Sequence, residues 1–267
     1  MKVLLYVNSD KDENGKFFAK ITSVLMENGI DYDLLSNENS VKGRDYSALI
    51  VVGGDGTILR RTETALKLDI PIIGINGGKL GFLSEFEFDE IESAVALLKS
   101  GDLIKDERLT IKAEFNGKTY YALNDVVLSR IYEENKGMVV NFGVKISDAN
   151  LKTMIGDGVL VATPTGSTAY SLAAGGAILE PHLNVFCVTP IAVHSFLSRS
   201  IVYKAENPCV ITHEGGAKAG LFIDGKLVDC LGINDKVYIS NAEKKTAFLR
   251  KRDFDFFNRL SNKLTDR

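Results

Sequence analysis

Apolar positions in the first hundred residues follow two rhythms. The run Val3 to Val7 is followed by Phe17, Ile21, Val24 and Leu25 at helical spacing, closed by Asn28-Gly29, which reads as strand then helix. A second aliphatic run from Ser47 to Val52 breaks off at Gly53-Gly54-Asp55-Gly56-Thr57, and Ile58 to Lys67 then suit one helix. Ile70 to Ile75 supplies a further strand, while Ile91, Ala94, Val95 and Leu98 mark an amphipathic helix stopped by Ser100-Gly101. Alternating strands and helices predict an α/β domain whose sheet is mostly parallel and covered by helices.

After about residue 104 the pattern changes to short β-rich runs with polar punctuation: Leu109 to Phe115, Tyr120 to Leu123, Val126 to Leu128, Val139 to Ile146, Gly158 to Ala162, Val185 to Val188, Cys209 to Thr212 and Lys236 to Ile239. One helix near Thr168 to Ala174 interrupts them. The predicted organisation is therefore an α/β domain over 1–104 and a mostly β domain over 105–249. Residues 250–267 form a terminal helix that packs back on the first domain. Phe254, Phe257, Leu260 and Leu264 are the apolar residues that such a helix has to bury.

Composition narrows the function. Lys and Arg number 32 against 35 Asp and Glu, and the net charge of −3 gives no field that would gather a polyanion, so nucleic acid is not an expected partner. The N-terminal apolar run turns polar at Asn8, too early for a signal core or a membrane span, so a cytoplasmic chain without a membrane partner is expected. Cys187, Cys209 and Cys230 show no paired spacing and read as buried thiols, and the scattered histidines give no sign of a protein-built metal site.

The strongest chemical signal is Gly53-Gly54-Asp55-Gly56-Thr57, set between a strand and a helix. Glycines allow positive φ and close backbone approach, so phosphate can lie against exposed amides there, helped by the following helix N-terminus. Asp55 is anomalous in such a loop, because a carboxylate repels phosphate. It serves as a base, binds a magnesium ion, holds a ribose hydroxyl or satisfies its own backbone. Arg60, one turn on, either reaches phosphate or lies on a solvated helix face. Asn124-Asp125 offers an amide and a carboxyl side by side, suited to a nucleobase edge or to an Asx turn. In Thr163 to Tyr170, Pro164 and Gly166 fix a bend, and the Ser and Thr hydroxyls are placed to cap a helix beginning near Ser167. Neither a Walker loop nor a dinucleotide fingerprint occurs.

The Gly53–Thr57 loop resembles one shared by NAD kinases, diacylglycerol-type lipid kinases and, more loosely, phosphofructokinases. The ordered set that follows is similar to the NAD kinase family: Asn76 to Leu83, Asn124-Asp125, Gly156-Asp157-Gly158, Thr163 to Ser171, Gly175-Gly176, and Pro190 to His194 with Arg199. Val193 and Ser200 depart from it, standing where many relatives carry proline. The resemblance implies a Rossmann-like first domain and transfer of the γ-phosphoryl of ATP, taken with Mg2+ or another divalent cation, to the adenosine ribose 2′-hydroxyl of NAD. It implies Asp55 as general base, with Gly53, Gly54, Gly56 and Arg60 around it. It further implies that Thr168, Ala169, Tyr170, Ser171, Leu172 and Ala173 line the dinucleotide pocket, with Tyr170 stacking on a ring and Ser171 hydrogen-bonding it. Asp157 would meet the nicotinamide side, Ala192 would join a pocket built partly by a neighbouring subunit of a homo-oligomer, and Lys226 would be a variable polar contact. A lipid kinase would use the same loop but leave Thr163–Tyr170 without a role. A non-catalytic NAD sensor would have no use for Asp55.

Overall fold

In the computed structural model, residues 1–35, 45–78, 81–132, 139–151, 153–194 and 199–265 are described. Lys79 and Leu80 of the Asn76–Leu83 segment lie outside them. Two compact units emerge, Met1–Glu107 with Thr246–Arg267, and Arg108–Lys245.

The first unit is built on a sheet ordered Asp31–Leu34, Lys2–Val7, Leu49–Val52, Ile72–Asn76, Thr246–Arg250 and Ile104–Arg108, with Phe86–Glu87 also pairing to Ile72–Asn76. Lys2–Val7, Leu49–Val52 and Ile72–Asn76 run parallel, as the alternating pattern predicts. The helix Lys16–Glu27 buries Ile21, Val24 and Leu25 in one cluster with Val3, Leu5, Ile50 and Ile75. It stops where Asn28 Nδ2 donates to the Val24 carbonyl and Gly29 turns to φ 66°. Each of those three side chains contributes about 1.5–3 kcal/mol by leaving water. Ile58 to Lys67 is not one helix. Asp55–Leu59 and Thr62–Leu68 are separate, because the chain bends at Arg60 and Arg61. The C-terminal helix Phe256–Thr265 belongs to this unit, but its buried aromatic is Phe256, which lies 6.3 Å from the ring of Phe82, while Phe257 is exposed.

The second unit contains two antiparallel sheets. One is ordered Ala149–Asn150, Val140–Ile146, Cys209–Gly216, Lys236–Asn241, Ile111–Phe115 and Lys118–Ala122, with Met154–Gly156 paired to Val140–Ile146. The other runs Ile201–Lys204, Val185–Ile191, Gly158–Ala162, Asp125–Arg130, Ala219–Ile223 and Lys226–Leu231. Alternate residues of both sheets, among them Ile111, Phe142, Val159, Phe186, Leu221 and Val237, form one apolar core. Cys187 and Cys209 are buried, and burial pushes the Cys209 thiol up to about 12. Cys230 is exposed instead, because it stands on the edge strand Lys226–Leu231.

Candidate active site

In the first unit, the fully buried strand Leu49–Val52 delivers the chain to Gly53, whose amide continues the sheet by donating to the Ile75 carbonyl. None of Gly53, Gly54 and Gly56 has a positive φ, so backbone freedom is not why the first two are glycine. Space is the reason at Gly53, where a Cβ would sit 2.8 Å from the Thr57 side chain; at Gly54 a Cβ would meet only the flexible end of Lys11, with Nζ at 3.3 Å. Thr57 is in turn fixed from the end of the first strand by Asn8, whose Nδ2 donates to Thr57 Oγ1 at 2.9 Å. Arg60 lies along Gly56, with Nη1 3.8 Å from where a Cβ there would be. The helix that follows has five residues, and Asp55 occupies its first turn.

Asp55 does not satisfy its own backbone. Its carboxylate accepts three amides from a loop 27 to 29 residues further on: Phe82 on Oδ2 at 2.7 Å, and Leu83 and Ser84 on Oδ1 at 3.2 and 3.3 Å. A carboxylate offers about four acceptor positions, so one remains, on Oδ2. Gly81 makes this approach possible, since a Cβ there would lie 1.9 Å from Asp55 Oδ1. Gly81→Ala is therefore expected to push Asp55 out of its amide cradle and destabilise the chain by about 1–3 kcal/mol. Urea unfolding together with turnover measures both effects.

In the second unit, Asn124 and Asp125 stand where the Asp125–Arg130 strand begins. Neither is a simple Asx turn, because the backbone there is held by Asp224. Its carboxylate accepts the amides of Leu123, Asn124 and Asp125 at 2.9, 2.8 and 3.1 Å. Asp224 sits at φ 46°, before Gly225 at φ 80°, in the tight turn that joins Ala219–Ile223 to Lys226–Leu231. Lys226 opens the second of those strands and is exposed. The Thr163–Tyr170 block is locked to the same place. Thr163 Oγ1 donates to Leu123 O at 2.5 Å, and Gly166 packs on the Asn124 backbone, where a Cβ would meet Asn124 O at 2.1 Å.

One hydroxyl of this block takes an amide at the start of the turn, Gly166 N–H donating to Thr163 Oγ1 at 3.1 Å, but none bonds from an N-cap position. Ser167 Oγ donates to Pro164 O and accepts from the Leu179 amide, and neither the turn at Gly166–Thr168 nor the helix Tyr170–Ala173 has a side-chain cap. Ser171 faces inward, its Oγ 3.1 Å from Thr189 Oγ1 in a fully buried pair. Thr168, Ala169 and Leu172 are partly exposed, and Ala173 is exposed. Tyr170 is 44% exposed, and its phenol is raised by burial and then by the charges of Asp125, Tyr132 and Asp157. Asp157 pairs with Arg130, Nε to Oδ1 at 3.1 Å, and Arg130 lies over the ring of Tyr132. Ala192, at φ 47°, adjoins this corner, its carbonyl 2.7 Å from where a Cβ at Gly156 would be, and the Asp157 amide bonds the neighbouring Ile191.

Burial, and secondly the nearby Asp224, push the Asp125 carboxyl up from 3.8 to about 7. The sign follows from linkage: a carboxyl that holds its proton more tightly when folded stabilises the fold below its unfolded value and loses that contribution as pH rises through the folded one. Urea midpoints are expected to fall between about pH 4 and pH 7 by an amount that Asp125→Asn removes.

Sequence reading missed Gly81, Asp224 and Arg130. Gly81 falls in the Asn76–Leu83 segment, and Asp224-Gly225 carries a hairpin-turn signal, but their partners lie far off in sequence.

Residues 5–103 match the family model described as the ATP-NAD kinase N-terminal domain, and residues 123–251 that of the ATP-NAD kinase C-terminal domain. The chain is 35% identical over 266 residues to an NAD kinase of Caldicellulosiruptor bescii, covering 100% of both. It is 36% identical to an NAD kinase of Clostridium botulinum (strain ATCC 19397 / Type A), covering 98% of this chain and 95% of the relative. Among solved structures, yeast NADH kinase complexed with NADH aligns with a TM-score of 0.86 over 99% of this chain and 87% of that one, at 23% identity. An NAD kinase from Archaeoglobus fulgidus in complex with ATP aligns with a TM-score of 0.80 over 99% of both, also at 23%. At that identity the two structures establish the fold.

Proposed function

The chain belongs to the NAD kinase family and phosphorylates NAD with ATP, and we propose that Asp55 is the general base that takes the proton of the adenosine ribose 2′-hydroxyl as the γ-phosphoryl arrives. The observation that carries this is the one acceptor position left on Asp55 Oδ2 while three amides hold the rest of the carboxylate. A ribose hydroxyl is far less acidic than a carboxylic acid, so its proton leaves as the new P–O bond forms. Such assistance is typically worth about 10²- to 10⁴-fold, and positioning supplies the remainder.

Gly53, Gly54 and Gly56 leave backbone room beside Asp55 for phosphate, and Arg60 supplies a positive charge along Gly56. Lys11, whose Nζ lies over Gly54, adds a second cation at the loop. ATP brings its divalent cation, Mg2+, as part of the substrate. Among the described residues no cluster of three or more His, Cys, Asp or Glu side chains forms a resident metal site, and a magnesium ion carried by phosphates and water requires none.

In the second unit, Asn124 and Asp125 recognise a nucleobase edge, the amide donating and the carboxyl donating or accepting according to its proton. Tyr170 stacks on a ring. Asp157, fixed by Arg130, and Ala192 meet the nicotinamide side, with Thr168, Ala169, Leu172, Ala173 and Lys226 at the margin of the pocket. The protein works as a cytoplasmic homo-oligomer. Exposed Tyr132, Ile155 and Leu227 provide apolar surface for subunit contact, and among the described residues no helix is long and apolar enough to cross a membrane.

The test is to incubate the purified protein with NAD, ATP and Mg2+ and to quantify NADP with an NADP-specific dehydrogenase. Steady NADP formation is expected. Tight NAD binding without NADP would instead identify a sensor.

A further inference from the structure

The Gly81–Glu85 loop that cradles Asp55 is gripped from its carbonyl side as well. Arg250 Nη2 donates to Phe82 O at 3.1 Å, and Arg259 Nη1 donates to Gly81 O at 3.3 Å and to Ser84 O. The two guanidinium groups meet on Glu85, Arg250 Nη1 at 3.0 Å and Arg259 Nη2 at 3.3 Å, and Arg250 Nε also bonds Asp106 at 2.6 Å. The side chains of Arg250, Glu85 and Asp106 are 0%, 4% and 4% exposed. Two successive peptide units, Gly81–Phe82 and Phe82–Leu83, thus offer their amides to Asp55 and their carbonyls to the two arginines.

An ion network this deeply buried is a poor way to gain stability, since well-packed apolar side chains of similar volume do as well. What apolar side chains cannot do is fix the orientation of peptide groups in a loop that is neither helix nor strand. Arginine does so, because its rigid fork of donors sets both direction and distance. Arg259 is supplied by the helix Phe256–Thr265, whose Phe256 also packs against Phe82. A carboxylate aimed by three amides inherits whatever error those amides carry, and a base misplaced by about 1 Å can cost 10²-fold in rate.

We propose that Arg259, with Arg250 behind it, is a positioning residue for Asp55: the C-terminal helix orients the Phe82–Ser84 amides and so aims the free Oδ2 acceptor at the hydroxyl to be phosphorylated. This rests on the reading of Asp55 as the base.

The experiment compares Arg259→Ala, Arg259→Lys, Asp55→Asn and the Arg259→Ala/Asp55→Asn double variant by kcat, NAD dissociation constant and unfolding midpoint. Arg259→Ala is expected to lower kcat about 10- to 100-fold. NAD affinity should hold within about twofold and the protein should stay folded at the assay temperature. Arg259→Lys keeps the charge without the fork and should fall between. In the Asp55→Asn background the second substitution should change the residual rate by less than about twofold, because both act through one carboxylate. An open cavity of about 690 Å³, lined in part by Glu85, Asn258 and Arg259, should admit free guanidinium, which is expected to restore part of kcat to Arg259→Ala. Unchanged kcat, a raised KM for NAD at constant kcat, or full additivity with Asp55→Asn would each overturn the clamp. If Asp55→Asn alone keeps its kcat, the base assignment fails and the clamp with it. If Asp55→Asn is inactive and Arg259→Ala is normal, the clamp fails alone.

Discussion

Asp55→Asn is expected to lower kcat by at least about 10²-fold while NAD binding is retained. The substitution is nearly isosteric, and its amide oxygen can stay where Oδ1 accepts Leu83 and Ser84. The NH2 group then replaces Oδ2, the atom with the unused acceptor position, and faces the Phe82 N–H with a donor of its own. The variant therefore loses the proton acceptor and strains one contact, without touching Asn124, Asp125 or Tyr170. Steady-state kinetics with an NAD titration separates the two effects. A rise in KM for NAD with kcat intact would assign Asp55 to binding instead.

The second large effect lies at Asp224. Its carboxylate accepts three consecutive amides, those of Leu123, Asn124 and Asp125. Asp224→Ala removes all three of these bonds. Hydrogen bonds to a charged group contribute about 1.5–3 kcal/mol each, and partial water access reduces the sum, so a loss of about 3–5 kcal/mol is expected in urea unfolding. NAD affinity should fall in parallel, since the displaced backbone carries Asn124 and Asp125. Asp224→Asn keeps one oxygen and tolerates the left-handed backbone at φ 46°, so it should lose markedly less. The alanine variant also removes the charge that adds to burial in raising Asp125, which should move the stability loss of that carboxyl to lower pH.

Much of the fold is legible in the sequence because its elements are strongly periodic. The helix through Ile21, Val24 and Leu25, the fully buried strand Leu49–Val52 and the shift to short strands after residue 104 all follow from side-chain spacing. Short elements leave a weaker signal. Phe256 and Phe257 are adjacent, so a shift of one residue decides which is buried, and the helix start placed the burden on Phe256. Arg60 and Arg61 carry no breaker signal, yet the chain bends there. In the hairpin, Ala219–Ile223 is almost wholly buried and Lys226–Leu231 mostly accessible, so neither shows the clean alternation that marks a half-buried strand.

Within the candidate site, the Gly53–Thr57 loop announces itself locally. What holds Asp55 does not. Its three amides come from residues 82–84 and their support from Arg250 and Arg259, contacts that no local pattern encodes. The sequence does not show that the Ser171 hydroxyl is turned inward to Thr189, a partner 18 residues away on a neighbouring strand.

Proton removal by Asp55 from the adenosine ribose 2′-hydroxyl of NAD, as that oxygen takes the γ-phosphoryl of ATP and ADP leaves, is the proposed step. Its most direct test is phosphorus NMR of a reaction containing NAD, ATP and Mg2+ with the native protein and with Asp55→Asn, both shown to bind NAD. A single new 2′-phosphomonoester resonance with the native protein, absent or strongly delayed with the variant, is the predicted result; phosphate on another position, or equal yield from both proteins, would contradict it.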